Sequence, residues 1–198
     1  MIGINRFEAL WARFEDTEHP MFAKLRDIAP AYRNEAWTRA LRAVGADDPG
    51  LGAELAARFM EERRRRPYLF GDALSTLDQL RPRYRLLLLT NGSPSLQREK
   101  LAGVPMLASY FDHIVISGAF GEGKPSPRLF RHAMELHGVT AEETVMVGDR
   151  LTTDILGAGS VGMRSAWVNR RGVPREGTIV PTWEIRSLSE LPALLERA

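Results

Sequence analysis

Two aspartates and one lysine follow predicted strands, where their side chains could act on a charged ligand. The apolar run at residues 145–147 ends in Gly148 and Asp149, and Asp154 comes five residues later. Lys124 follows another strand, in a chain whose 27 basic residues include only three lysines. Carboxylate oxygens are the ligands that Mg²⁺ prefers. These residues predict a metal and anion site, although this stretch alone leaves open that Asp149 only caps the next helix.

A second group of polar residues follows the apolar strand that ends at residue 89. Thr90, Asn91 and Gly92 precede Ser93, a typical helix N-cap, and Pro94, a typical first helical residue. Free N–H groups and the helix dipole favour an oxyanion at such a corner. A plain turn would need the glycine and the cap but neither of the other two polar residues. We therefore predict that this corner binds an anionic substrate group.

The segment around Lys124 also resembles the start of a nucleotide-binding P-loop. Residues 118–124 fit the pattern G-x-x-x-x-G-K. A P-loop next requires Ser or Thr at the start of a helix, whereas Pro125 follows here and moves the predicted helix start to Ser126 as cap and Pro127 as first residue. The pattern therefore predicts a lysine on an extended segment rather than a P-loop.

The elements that carry these residues alternate between strands and helices after residue 71, which predicts a parallel sheet covered by helices. Predicted strands lie at residues 84–89, 113–116, 144–147 and 164–168, with a weak one near 178–180. Predicted helices lie at 72–80, from 94, and at 127–137, 151–161 and 189–197. Residues 5–66 show helical spacing, and turn signals such as Ala29-Pro30 divide them into a bundle of three or four helices.

Composition limits the classes of protein to consider. The chain has 198 residues, 44% hydrophobic and 26% charged, which is typical of a folded globular protein. It has no cysteine, so thiolate metal sites are excluded and a reducing cytoplasm is expected. Signal-peptide and membrane-spanning patterns are absent, and a net charge of +2 argues against nucleic acid as a partner.

Three motifs in this order, LLLLTNG, GKPSPRLF and VMVGDRLTTDILGAGSVG, resemble the haloacid dehalogenase (HAD) superfamily. The resemblance implies an α/β fold with a Rossmann-like parallel core at residues 71–198 and an N-terminal α-helical cap domain at 1–70. It also implies roles for the polar residues. Thr90, Asn91 and Gly92 would bind the phosphoryl group together with Lys124. Lys124 and Asp149 would be catalytic, with Asp149 and the nearby supporting acid Asp154 at the Mg²⁺ site.

One motif of the superfamily is missing from this sequence. Its phosphatases carry a nucleophilic aspartate at the end of the central first strand and a general acid–base aspartate two residues later. No Asp-x-Asp occurs here, and Asp16 lies in a helical pattern with no strand before it. Without that strand, two apolar strands would each lose a hydrogen-bonding neighbour. We therefore expect a longer natural protein, with the nucleophile outside the printed chain.

The resemblance predicts a Mg²⁺-dependent phosphatase that hydrolyses a small phosphorylated metabolite through an aspartyl-phosphate intermediate. One alternative is a catalytically inactive, truncated HAD-like protein, or a binding protein that retains the phosphate pocket. Others are a haloacid dehalogenase or a phosphomutase of the same superfamily. The sequence leaves open the identity of the substrate and whether the chain forms a homo-oligomer.

Overall fold

The computed structural model describes residues 1–175 and 177–197. The chain forms two compact units. Unit 1 comprises Met1–Tyr68, Thr90–Pro105 and Ile116–Gly121, and unit 2 comprises Leu69–Leu89, Met106–Val115 and the chain from Glu122 onward. The division into a cap at residues 1–70 and a core at 71–198 stays a prediction. Among the described residues, no helix has both the length and the apolar character needed to cross a membrane.

Helices and strands alternate along the second part of the chain. The described α-helices are α1 Met21–Ala43, α2 Pro49–Arg65, α3 Ala73–Leu80, α4 Pro94–Ala102, α5 Pro105–Ala108, α6 Ser117–Phe120, α7 Pro127–His137, α8 Leu156–Gly159 and α9 Leu191–Leu195. The strands are β1 Leu87–Thr90, β2 His113–Ile116, β3 Val145–Gly148, β4 Arg164–Val168 and β5 Trp183–Ile185. Short 3₁₀ turns lie at Glu8–Leu10 and Leu188–Glu190, and a π-helical turn lies at Leu151–Ile155.

Most of the predicted elements of unit 2 are present, and β2, β4 and α7 have the predicted bounds. The weak strand predicted at 178–180 is wrong. Val180 is 67% exposed, and the last described strand is β5, where Ile185 is buried instead. The helix predicted at 151–161 is a π-helical turn followed by the short α8, and α9 is shorter than the predicted terminal helix.

Unit 1 is built on α1 and α2, which pack against each other. The predicted bundle of three or four helices is wrong, because α1 continues through Pro30 where a turn was expected. A proline in a helix removes one hydrogen bond, but the tertiary packing of a long helix can outweigh that local signal. An apolar cluster that includes the buried side chains of Trp11, Phe14, Phe22 and Leu96 stabilises this unit.

Strands β3, β4 and β5 form a parallel sheet in that order. Val147 pairs with Ala166 in the β3–β4 register. Met146 and Val147 are successive residues of β3 but belong to different apolar clusters, one around Phe130 of α7 and the other around Leu80 of α3. Since successive strand residues point to opposite faces, helices cover both faces of the sheet. This confirms the predicted α/β class.

Strand β1 belongs to a different sheet. It pairs with β2, and within the part of the chain that the structure describes, no ladder joins β1 to β3. The sequence predicts that a central strand is missing between these two strands. That a central strand is missing stays a prediction.

The packing of α8 predicts different effects of the same substitution at two glycines. A Cβ at Gly157 would collide with the fully buried ring of Phe130, whereas one at Gly159 would meet no atom within 4 Å. We expect Gly157→Ala to lower the free energy of unfolding by roughly 1–3 kcal/mol through overpacking. The matched control Gly159→Ala should leave it unchanged or raise it by up to about 1 kcal/mol. Urea denaturation measures both values, and equal effects would contradict the packing.

Candidate active site

Thr90, Asn91 and Gly92 lie immediately before α4, in unit 1. Gly92 has a φ of +143°, a conformation that side chains disfavour, so glycine is required there. Its N–H donates to Ser117 Oγ at 3.0 Å. Ser93 caps α4 by accepting a hydrogen bond from a backbone N–H, as predicted. Two hydrogen bonds, one to Gly92 and one to the Ser93 side chain, therefore fix the conformation of this turn.

Two of the protein's own carboxylates bind at the amino end of α4. The Ser93 N–H donates to Glu8 Oε1 at 2.8 Å, and the Ser95 N–H donates to Asp16 Oδ1 at 2.7 Å. The hydroxyl groups of both serines donate to Asp16 Oδ2, at 2.7 and 2.9 Å. This matches the affinity of helix amino ends for negative charge. Sequence reasoning missed Glu8 and Asp16 because 85 and 77 residues separate them from Ser93.

Burial raises the pKa of Glu8 to about 7. The residue is only 4% exposed, and loss of hydration disfavours its charged form. The hydrogen bond from Ser93 and the positive charge of Lys100 oppose this shift, while the negative charge of Asp16 adds to it. Near neutral pH the Glu8 carboxyl is therefore protonated in a large fraction of molecules.

Lys124 and Asp154 form a buried ion pair in unit 2. Lys124 Nζ lies 2.8 Å from Asp154 Oδ1, and the two side chains are 11% and 5% exposed. The same ammonium group donates to the carbonyl of Leu89 at 2.9 Å, and Asp154 Oδ2 accepts from the N–H of Arg150 at 3.0 Å. The lysine is thus held at the end of β1 by a carboxylate whose two oxygens are both engaged.

The π-helical turn at Leu151–Ile155 positions Asp154. The Ile155 N–H reaches the carbonyl of Arg150, five residues back, at 3.3 Å. Such turns are rare and occur frequently at functional sites. A Cβ at Gly148 would collide with the Asp154 carboxylate, which explains why β3 ends in glycine.

Asp149 follows β3 directly and is exposed to solvent. Its backbone carbonyl accepts a hydrogen bond from Nε1 of the buried Trp167 at 3.0 Å, which fixes the main chain at this point. The alternative in which Asp149 caps the next helix is wrong, because Arg150 occupies the cap position and no side chain makes a cap hydrogen bond.

The described residues contain no group of three His, Cys, Asp or Glu side chains that could hold a metal ion by themselves. Mg²⁺ is commonly bound by one or two carboxylates, with water and substrate phosphates completing its coordination. The exposed carboxylate of Asp149 fits this requirement. The oxygens of Asp154 are already engaged by Lys124 and Arg150, which suits a supporting acid. The assignment of Asp149 and Asp154 as metal ligands stays a prediction.

Comparison with known families identifies the family of the chain. Residues 3–162 match the haloacid dehalogenase-like hydrolase family. The chain belongs to this family. The match confirms the resemblance seen in the three sequence motifs and extends over Thr90, Lys124, Asp149 and Asp154.

Relatives of this HAD-like hydrolase include phosphatases. It is 42% identical over 191 residues to a phosphoserine phosphatase from Thermus thermophilus, covering 96% of this chain and 74% of the relative. It is 38% identical over 182 residues to the N-acylneuraminate-9-phosphatase from Mus musculus, covering 90% of this chain and 71% of the relative. These comparisons therefore establish that the chain is a hydrolase of the HAD-like family and that its relatives include phosphatases.

Solved structures of the family superimpose on the HAD-like hydrolase over most of its length. A magnesium-bound HAD hydrolase from Bacillus subtilis has a TM-score of 0.69 and 30% identity, covering 88% of this chain and 75% of that one. A 2-haloacid dehalogenase from Pseudomonas syringae has a TM-score of 0.63 and 29% identity, covering 99% and 83%. Phosphatases and dehalogenases thus share this fold.

The buried carboxyl of Glu8 predicts a pH-dependent stability. Its pKa of about 7 in the folded protein exceeds the ordinary 4.5, so its stabilising contribution is complete below pH 4.5 and is lost as the pH rises through 7. Relative to Glu8→Gln, the wild type should lose up to roughly 3 kcal/mol of unfolding free energy between pH ~4.5 and ~8. Denaturation across this range tests the prediction. Glu15→Gln, at an exposed position nearby, is the control: because it retains Glu8, its unfolding free energy should fall over this pH range as that of the wild type does.

The Lys124–Asp154 pair predicts substitutions whose effects do not add. Lys124→Met or Asp154→Asn alone leaves the other charge buried and unpaired, which costs about 3–5 kcal/mol of unfolding free energy. The double variant should lose at least about 1 kcal/mol less than the sum. The exposed Arg39–Glu35 pair, 74% and 53% exposed, is the control and should show a coupling below about 0.5 kcal/mol. Additive effects at Lys124 and Asp154 would contradict the buried contact.

Proposed function

We propose that this HAD-like hydrolase is a Mg²⁺-dependent phosphatase for a small phosphorylated metabolite. The observation that carries the proposal is the buried Lys124–Asp154 ion pair, in the same unit as the exposed carboxylate of Asp149. The names of the two phosphatase relatives support the substrate class, because phosphoserine and N-acylneuraminate 9-phosphate are both small phosphorylated metabolites.

The charges in this unit suit phosphoryl transfer. The reaction needs positive charge around the oxygens of the transferred group, and donors that are already in position stabilise the transition state most effectively. The ion pair with Asp154 fixes the ammonium group of Lys124. Mg²⁺ at Asp149 would neutralise further negative charge on the phosphoryl group. In unit 1, Thr90, Asn91 and Gly92 keep their proposed role as phosphoryl ligands.

The proposed reaction passes through an aspartyl-phosphate. A carboxylate oxygen attacks phosphorus, the ester P–O bond breaks, and the leaving oxygen takes a proton from a general acid. Water then cleaves the acyl phosphate, which releases inorganic phosphate and restores the carboxylate. The sequence contains no Asp-x-Asp, so we propose that this carboxylate lies outside the printed residues.

A phosphate-binding protein without turnover is a second candidate function. It is favoured by the combination of the ordered Lys124–Asp154 pair with a printed sequence that contains no Asp-x-Asp. A third candidate is a dehalogenase, because one solved structure of similar fold is a 2-haloacid dehalogenase. Such an enzyme would act on a 2-haloacid instead. Phosphate release from phosphorylated metabolites, with no halide release from 2-haloacids, would distinguish the first proposal from both.

We expect phosphatase activity to depend on Asp149 once the nucleophile is supplied. A form extended at its N-terminus by an apolar strand ending in Asp-x-Asp should release phosphate from a panel of phosphorylated amino acids and sugars, in a Mg²⁺-dependent reaction. Asp149→Asn should lower kcat/KM by roughly 10²-fold or more, because it removes charge stabilisation in the transition state. Asp27→Asn, at an exposed position of α1, is the control. Full activity of Asp149→Asn would contradict the proposal.

Metal binding can be measured without turnover. Mg²⁺ should raise the Tm of the 198-residue chain, since a ligand that binds only the folded state stabilises it. Asp149→Asn should abolish this shift and Asp27→Asn should retain it. An unchanged shift in Asp149→Asn would place the metal elsewhere.

A further inference from the structure

A cavity of about 650 Å³ lies within unit 1, between residues 1–6 and one side of α1. Ala9, His19 and Gly121 also line it. Pockets that bind small molecules commonly have volumes of about 300–1,000 Å³, and most of their lining is apolar. The size of this cavity is therefore that of a ligand site. We call it the α1 groove.

The α1 side of the groove is an apolar stripe. Its lining residues are Met21, Leu25, Ile28, Ala29 and Tyr32. Their spacing of three and four residues places them on one face of the helix, which extends for roughly 16 Å at about 1.5 Å per residue. Met21, Ile28 and Tyr32 are exposed, and Ile28 is exposed by 59%. An exposed apolar surface that is continuous, unlike a single exposed residue, is a typical binding surface.

The polar groups of the groove are few, and they favour an anion. Among the described residues that line it, Arg6 is the only side chain with a permanent charge, and none is acidic. Arg6 is exposed to solvent, so a ligand can reach its guanidinium group. The Nδ1 atom of His19 accepts the Met21 N–H at 3.1 Å. The proton of the neutral imidazole ring is therefore on Nε2, which is a second donor at the groove.

We propose that the α1 groove binds a small monocarboxylate with an unbranched alkyl chain. The alkyl chain would lie along Met21, Leu25 and Ile28, and the carboxylate would pair with Arg6. A guanidinium group binds a carboxylate through two parallel hydrogen bonds, and one positive charge matches one negative charge. The long, narrow shape of the apolar stripe favours an extended chain over a compact ligand. This site belongs to unit 1 and does not depend on the proposed phosphatase activity.

Calorimetric titration of the 198-residue chain with hexanoate, octanoate and decanoate tests the proposal. Affinity should rise with chain length, by up to about fourfold for each methylene group that the groove buries. Octanamide has the same alkyl chain without the charge. It should bind at least about tenfold more weakly than octanoate, because hydrogen bonds between charged groups are the stronger ones.

NMR of the methionine methyl groups locates the bound ligand. Met21 lines the groove, whereas Met106 is exposed in unit 2 and does not. Saturating octanoate should shift the methyl signal of Met21 and leave that of Met106 unchanged. Equal shifts of both signals would indicate nonspecific adsorption to apolar surface and would overturn the proposal.

Two matched pairs of exposed residues provide variants that separate the contributions of charge and apolar contact. Arg6→Gln should weaken octanoate binding at least about tenfold, and Arg13→Gln, outside the groove, should leave it unchanged. Ile28→Ser should weaken binding at least about threefold through lost apolar contact. Val44→Ser, at the exposed end of α1 and outside the groove, is its control. Equal effects within either pair would contradict the proposed pose.

Three further outcomes would overturn the proposal. The first is an affinity that depends neither on chain length nor on the charge of the ligand. The second is a chain that is dimeric by light scattering and becomes monomeric with octanoate, which would make a second copy the occupant of the groove. The third is loss of octanoate binding in a form extended at its N-terminus, which would assign the groove to that extension. Binding that follows chain length, charge and the two variant pairs would support the proposal.

Discussion

The ion pair between Lys124 and Asp154 determines the local geometry on which the candidate site in unit 2 depends. A buried ammonium group is tolerated only with a counter-charge and further hydrogen bonds, which here come from Asp154 and the carbonyl of Leu89. Asp154 reaches that position because the chain makes a π-helical turn and because Gly148 has no side chain to obstruct it. The end of β1, the segment at Lys124 and the end of β3 are thereby fixed relative to one another.

In unit 1 the buried groups that need partners are carboxylates rather than an ammonium group. The amino end of α4 gathers backbone donors, and the carboxylates of Glu8 and Asp16 satisfy them. Burial of Glu8 raises its pKa to about 7, and the negative charge of Asp16 adds a smaller contribution in the same direction. A phosphoryl group at this corner would have to compete with both carboxylates for the same donors. Protonation of Glu8 would reduce the repulsion that opposes it.

The sequence predicts elements best where one local signal decides. A short apolar run and a proline at the first position of a helix are such signals, and β2, β4 and α7 have the predicted bounds. Local signals were wrong where packing overrides them, as at Pro30 inside α1, or where a short segment stays exposed, as at Val180. The sequence predicted that Lys124 and Asp154 both follow strands and belong to one site, but it did not predict their ion pair. The roles of Glu8 and Asp16 could not, because they arise from contacts across most of the chain.

The composition of β1 and β3 explains why the interrupted sheet matters for the whole fold. Strands that remain at an edge usually carry charged residues, proline or a bulge that discourages further pairing. Leu87–Leu89 and Val145–Val147 contain neither a charged residue nor proline, and both runs have the apolar character of strands buried on both faces. The half-burial of these residues leaves hydrophobic free energy unrealised, and in the described chain each of the two strands has a neighbouring strand on one side only. One further strand beside both β1 and β3 would bury their apolar side chains and extend both hydrogen-bond ladders, whereas covering them with side chains alone would only bury them.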